Sequence, residues 1–281
     1  MMDRRHYVKL IETLDPDVDY EKIIRYTALH DFTFDTALSL QMAFYRTYAI
    51  PGIAAVLGGS GEIAARPIKR GEDTGLMVFE IIEHGFDHPR SQRVLNAMNA
   101  MHSRWDITND QFLYVLGVFL IPWMRWLRNY GWRQPTATET AAAHRFYAEM
   151  GGRMGITDIP ATFEAFEQWF DRYESIHLAP NEHGQRLLHA SHKLFTNRFP
   201  PRLAFLGITF GNALLDDALR HALGVNGPSA PARGLIRLIF KVRARILRWH
   251  KAPTNSGFTP DGVTPGYPDG YSLEQLGPPQ S

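Results

Sequence analysis

The chain has 281 residues, 44% of them hydrophobic and 21% charged, which is enough apolar content to close a core of domain size and excludes disorder along its whole length. Thirty Lys and Arg stand against 29 Asp and Glu, a formal charge of +1, so no general attraction for nucleic acid or another polyanion follows and a nucleic-acid partner is not expected. Cysteine is absent, which removes disulfides, a thiolate nucleophile, Cys-held zinc or iron–sulfur sites and thiolate-ligated or covalently attached haem; any metal falls to His and carboxylates.

Residues 1–14 alternate charged with apolar positions and lack the uninterrupted apolar core of a secretory signal, so the sequence reads as cytoplasmic. Helical periodicity then predicts a pair over Tyr20 to His30 and Phe34 to Tyr45, stopped by Pro51 and followed by a Gly-rich loop, Gly52 to Gly61, without a phosphate-binding fingerprint. Helices are predicted from Glu72 to Glu83, from Ser91 to Arg104, and from an N-cap at Asn109 through Phe112 to Leu127 with a kink at Pro122. The apolar run of that last helix is shorter than the roughly 20 residues a membrane span needs, and Arg125 and Arg128 follow it, so it reads as a core helix.

Thr136 and Glu139 form a capping box for a helix over Ala141 to Met154, which Gly155 ends. Pro160 is placed to open a helix from Ala161 to Ile176, and further helices are predicted at Gln185 to Thr196, Arg202 to Leu223 and Arg233 to Trp249. Beyond Lys251 the prolines at 253, 260, 265 and 268 forbid another long helix, leaving a tail that lies along the surface or is disordered. The fold class is all-α, with one helical domain over residues 1–250 and an irregular Pro/Gly-rich tail over 251–281.

Four groups of residues carry chemical interest. Arg70 and Thr74, four apart, turn a cation and a hydroxyl to one helix face if the helix begins early enough to include both. His102 ends a helix whose apolar stripe is Val94, Met98 and Met101; such an imidazole, held neutral by desolvation, is either a hydrogen-bonded core residue or an iron ligand. Glu174 and His177 form an E-x-x-H pair of the kind di-iron bundles use, but no other His has a Glu three positions before it; His189 and His192 sit at i and i+3 in a His-rich turn. Separately, Arg233, Arg237, Lys241, Arg245 and Arg248 make a basic stripe at helical spacing, with Leu235, Leu238, Ile239, Val242, Ile246 and Trp249 on another face. That pattern suits peripheral contact of 233–251 with anionic lipid, or a helix packing its apolar face on the domain.

Arg-Gly-Glu-Asp-Thr at 70–74, followed by Asn-Ala-Met-His-Ser-Arg-Trp-Asp-Ile-Thr-Asn-Asp-Gln-Phe-Leu-Tyr-Val-Leu at 99–116, resembles the family of MpaB-type oxygenases and rubber oxygenases (latex-clearing proteins). The likeness continues through Arg125-Trp126, Tyr130-Gly131-Trp132-Arg133, Met154-Gly155-Ile156, Asp158-Ile159-Pro160, Tyr173-Glu174 with His177, and the tail's Pro265-Gly266-Tyr267-Pro268. It implies a globin-like helical core around a non-covalently held haem b. It also implies an oxygenase that uses dioxygen to cleave carbon–carbon double bonds in a hydrophobic, isoprenoid-like substrate. Carried over by position, His102 would be the iron ligand, and Arg70 and Thr74 would sit on the oxygen-binding side as cofactor-binding and catalytic residues. The family's glutamate upstream of that Arg has no match at the right spacing; Glu62 is the nearest acid. The alternatives are a helical protein that binds haem or lipid without turnover, a di-iron oxidase, and a catalytically inactive scaffold for a membrane or protein partner.

Overall fold

The computed structural model describes residues 3–192, 202 and 204–277. Short helices α1 (His6–Ile11) and α2 (Tyr20–Arg25) lead, through a π-helical turn Tyr26–Asp31, into α3 (Thr33–Tyr48). Next come α4 (Pro51–Gly59), α5 (Glu62–Ala65), α6 (Pro67–His84), α7 (Pro89–His102) and α8 (Asn109–Tyr130). The order ends with α9 (Ala137–Arg153), α10 (Phe163–His177), α11 (Glu182–Ser191), α12 (Ala204–Leu214), α13 (Asp217–Leu223) and α14 (Ala230–Leu247), and a 3-10 turn Leu273–Gln275 lies in the tail. No strand occurs among the described residues, and Thr264 with Tyr267 forms an isolated bridge. The fold is all-α.

Helix α8 is the central post, packed on by α3, α9, α10 and α14, and it buries Leu113, Tyr114, Leu120, Ile121, Met124 and Leu127. Gly117 permits this closeness: a Cβ there would stand 2.9 Å from Phe170 and 3.1 Å from Phe166, two fully buried rings of α10. Each such ring contributes on the order of 2–3 kcal/mol of transfer free energy. A second cluster gathers Tyr45 and Tyr48 of α3, Leu187 and Leu188 of α11, Leu219 and Leu223 of α13 and Phe240 of α14. The Trp132-Arg133 motif is structural: Arg133 donates to buried Asp31 and Glu139 at 2.6 Å, tying the π-helical turn to the start of α9, where Glu139 also closes the Thr136 capping box.

Several boundaries differ from the sequence reading, each for a local reason. Gly52 to Gly61 is largely helical: Pro51 occupies the first helical turn, where its missing N–H is no loss, and burial of Ile53 and Ala54 outweighs the poor propensity of glycine. Gly61, at φ +68°, then separates α4 from α5. Thr108, not Asn109, caps α8 through a box with Gln111, while the Asn109 amide bridges the backbone of Thr157. Helix α8 continues past Pro122 and past Leu127 to Tyr130. Pro160 lies before α10, whose cap is Thr162, and its carbonyl oxygen pairs with His144 Nε2 at 2.8 Å.

The helix predicted over Arg202 to Leu223 is two, because Asp216 leaves the helical path to cap α13 by accepting from Leu219 N at 2.9 Å and to pair with Arg46. Helix α11 ends at Ser191; the predicted stretch from Lys193 to Thr196 lies outside the described residues. Over its described residues, 251–277, the tail follows the surface reading rather than disorder: most of its residues are exposed or half-buried, while Phe258, Tyr267, Tyr271 and Leu276 anchor it in the main core.

Candidate active site

Helix α6 has two working faces, and the Arg-Gly-Glu-Asp-Thr segment supplies both. One face holds the tail. Glu72 accepts from Thr264 Oγ1 at 2.6 Å and Gly266 N at 2.8 Å, buried Asp73 accepts from the Tyr267 hydroxyl, and Glu80 accepts from the Tyr271 hydroxyl at 2.6 Å. Lys69 bridges Asp73 at 3.0 Å and the carbonyl oxygens of Gln275 and Gly277 at 2.8 and 3.1 Å. The other face turns Arg70 and Thr74 into a cavity, with an Arg70 Nη1 hydrogen bond to Thr74 Oγ1.

That cavity lies between α3, α4, α6, α7 and α8, and its walls are mainly apolar, with Phe44, Met77, Met98, Phe112, Val115 and Phe119 among them. His102 enters from the last position of α7, where burial of Val94, Leu95 and Met98 fixes the helix face. The imidazole meets Phe112 edge-on, with ring centroids 5.3 Å apart, and its Nδ1 is buried without a hydrogen-bond partner. Burial first, and the Arg70 charge second, push its pKa down to about 4, so the ring is neutral near pH 7. Burial also lowers the Arg70 pKa, opposed by Asp73, Tyr48 and Glu62, yet a guanidinium stays charged in such a site. The structure thus brings Arg70, Thr74 and His102 to one cavity.

Glu62 lies on the wall of the same cavity, paired with Arg66. Gly61 and the non-helical Arg66 bound the short helix α5 that carries it. A second, mainly apolar cavity abuts the first and shares Phe44, Thr74 and Phe119 with it; the tail residues Val263, Thr264 and Pro265 form part of its wall. Nothing in the sequence pattern placed the tail there apart from the Pro-Gly-Tyr-Pro motif.

The E-x-x-H pair belongs elsewhere. Glu174 accepts from Arg46 Nη1 at 2.6 and 2.7 Å and from the Tyr114 hydroxyl at 2.9 Å, while His177 stacks on Tyr173 with centroids 4.0 Å apart. Among the described residues no cluster of three or more His and carboxylate groups could hold a metal ion, so the di-iron arrangement is not built and Glu174 works as a structural partner. A haem needs less from the protein: one neutral imidazole, a mainly apolar slot and a few polar groups. His102, with an orphaned ring nitrogen in a cavity walled by Met, Phe and Val side chains, fits that donor set.

Residues 32–249 match the family described as ER-bound oxygenase mpaB/B'/Rubber oxygenase, catalytic domain. The chain belongs to this family. It is 25% identical to the ER-bound oxygenase mpaB' of Penicillium brevicompactum over 275 residues, 90% of this chain and 64% of that protein. It is 24% identical to the ER-bound oxygenase mpaB of Penicillium roqueforti over 245 residues, covering 79% of this chain and 81% of the relative. The ER-bound oxygenase mpaB of Penicillium brevicompactum matches at 26% over 222 residues, 70% of this chain and 56% of its own length. The chain therefore spans less than two thirds of some of these relatives, and the family as a whole is one of oxygenases. No described helix is long and apolar enough to cross a membrane.

Proposed function

We propose that the protein is a haem b-dependent oxygenase acting with dioxygen on a hydrophobic, unsaturated, isoprenoid-like substrate. The observation that carries the reading is the convergence, on one mainly apolar cavity of an oxygenase-family fold, of the neutral, orphaned His102 with Arg70 and Thr74. When bound there, haem b supplies the redox-active iron at which dioxygen reacts.

His102 is the group that would hold that iron, because a neutral imidazole keeps a lone pair free and a depressed pKa keeps it free well below neutrality. Arg70 brings a cation into a site of low dielectric, where it stabilises negative charge developing on oxygen. Thr74 orients that guanidinium through its hydroxyl and stands where the two cavities meet. Phe44 and Phe119, shared by both cavities, exclude water and leave an apolar path for a long substrate. Addition of both atoms of dioxygen across one double bond, with cleavage of that bond, gives two carbonyl products and balances without an external reductant. Glu62 and Asp73 are the carboxylates on the wall of this cavity.

Association with a membrane from its surface belongs to the same reading, since the relatives are named ER-bound and no described helix can span a bilayer.

Oxygen uptake with a panel of isoprenoids tests the reading. Substrate-dependent uptake matched by carbonyl product is expected in the parent. Arg70→Met, in which the shape is kept and the charge removed, is expected to lower turnover by on the order of a hundredfold, as loss of one preorganised charge donor does elsewhere. Haem without any substrate-dependent uptake would instead mark a carrier.

A further inference from the structure

Helix α14 presents three faces where a simple amphipathic helix has two. Phe240 and Ala244 are buried against the domain, and on the same side Arg243 reaches Asp35 at 3.0 Å. At helical spacing on a second face lie Leu235, Leu238, Ile239, Val242 and Ile246, each 46–58% exposed, continued by Trp249 at 87%. On a third face stand Arg237, Lys241 and Arg245, all exposed. The reading that this apolar stripe packs on the domain is therefore overturned: Phe240 and Ala244 do the packing, and the six large apolar side chains face outward.

We infer that this outward surface of α14, its apolar stripe with the adjoining row of Arg237, Lys241 and Arg245, docks the protein on an anionic lipid leaflet. The inference rests on the membrane association proposed above and assigns it a surface and a lipid chemistry; it is independent of what His102 binds. Residues 230–251 contain no Asp or Glu, so nothing on the helix opposes approach to a negative headgroup layer. The two rows divide the work as an interfacial helix requires: aliphatic side chains and a Trp enter the boundary between headgroups and acyl chains, and long cations beside them reach phosphates. Phe205 and Leu206 of α12, a helix that packs on α14, are also exposed. A second copy of the chain is a poorer occupant, because pairing two such faces about a two-fold axis would bring the cationic rows together without any acid to offset them.

Co-sedimentation of the full chain with vesicles decides the matter, using phosphatidylcholine alone and phosphatidylcholine mixed with phosphatidylserine. Binding is expected only with phosphatidylserine present, weakening as salt is raised. The triple variant Arg237→Glu, Lys241→Glu, Arg245→Glu is expected to lower partitioning at least a hundredfold, since each basic residue near such a surface contributes about a factor of five to ten. Leu238→Ser with Trp249→Ser is expected to weaken binding while keeping the salt dependence. All of these positions are exposed, and an unchanged circular dichroism spectrum and unfolding midpoint show that the variants fold. Parent protein that sediments equally with both vesicles would overturn the anionic-lipid assignment, and variants that bind like the parent would overturn the assignment to α14; either result leaves membrane association standing. Parent protein that stays in the supernatant would overturn both. A dimer in light scattering that Val242→Glu splits would give this face to a second copy and overturn the lipid assignment.

Discussion

Replacing His102 by Leu in haem-free protein gives the most quantitative check on the site. The neutral imidazole is favoured in the fold, with its pKa pushed down from the ordinary 6.5 to about 4 by burial and the Arg70 charge. The unfolded chain therefore takes up a proton first as pH falls, and stability that is present above pH 6.5 is lost progressively toward pH 4. At about 1.36 kcal/mol per pKa unit the full effect is about 3 kcal/mol, of which about 2 kcal/mol is lost between pH 7 and pH 5. Urea unfolding at those two pH values measures it. His30 and His192 also have lowered pKa values, from burial first, and act in the same direction, so the informative quantity is parent minus variant. His102→Leu is expected to lose about 2 kcal/mol less than the parent on acidification. Equal losses in the two proteins would show that His102 is solvated and would refute the description of its surroundings.

Arg46→Met leaves the Glu174 carboxylate with only the Tyr114 hydroxyl to pair with in a largely buried setting, and a loss of about 3 kcal/mol is expected by denaturant titration; a loss below about 1 kcal/mol would show that the ion pair is screened by water. Gly117→Ala pushes a methyl group against Phe170 and Phe166, so the midpoint should fall by the equivalent of about 1–3 kcal/mol despite the better helix propensity of alanine, and a higher midpoint would contradict the close packing of α8 on α10. Tyr267→Phe removes the hydroxyl that Asp73 accepts, at a cost of about 1–2 kcal/mol; limited proteolysis should then cut first within 251–277, whereas cleavage elsewhere would mean the tail is held by other contacts.

Elements whose signal is local were legible in the chain. The Thr136–Glu139 box, the Gly155 stop and the apolar stripes of α7 and α8 depend on neighbours within a turn or two, and the structure has them where the pattern placed them. Arg70 and Thr74 follow the same rule, four residues apart on one helix. The reading failed where tertiary packing outranks local propensity: Gly-rich α4 is helical because Ile53 and Ala54 find a core. The choice it left open for the proline-rich tail, surface course or disorder, is also made by tertiary contacts, since α6 offers the tail Glu72, Asp73 and Glu80. That Glu62 lies on the wall of the His102 cavity is likewise a tertiary fact that chain spacing does not carry. The α14 stripe misled in a different way, since periodicity identifies an apolar face but not what covers it.

The central claim is that His102 holds haem iron in the cavity beside Arg70 and Thr74. Its most direct test is the ultraviolet–visible spectrum, with iron quantified, of protein expressed with a haem precursor, beside His102→Ala prepared identically. The claim requires a Soret band and stoichiometric iron in the parent, with the band lost or shifted in the variant. A parent without a Soret band, or a variant with the same spectrum and iron content as the parent, would contradict it.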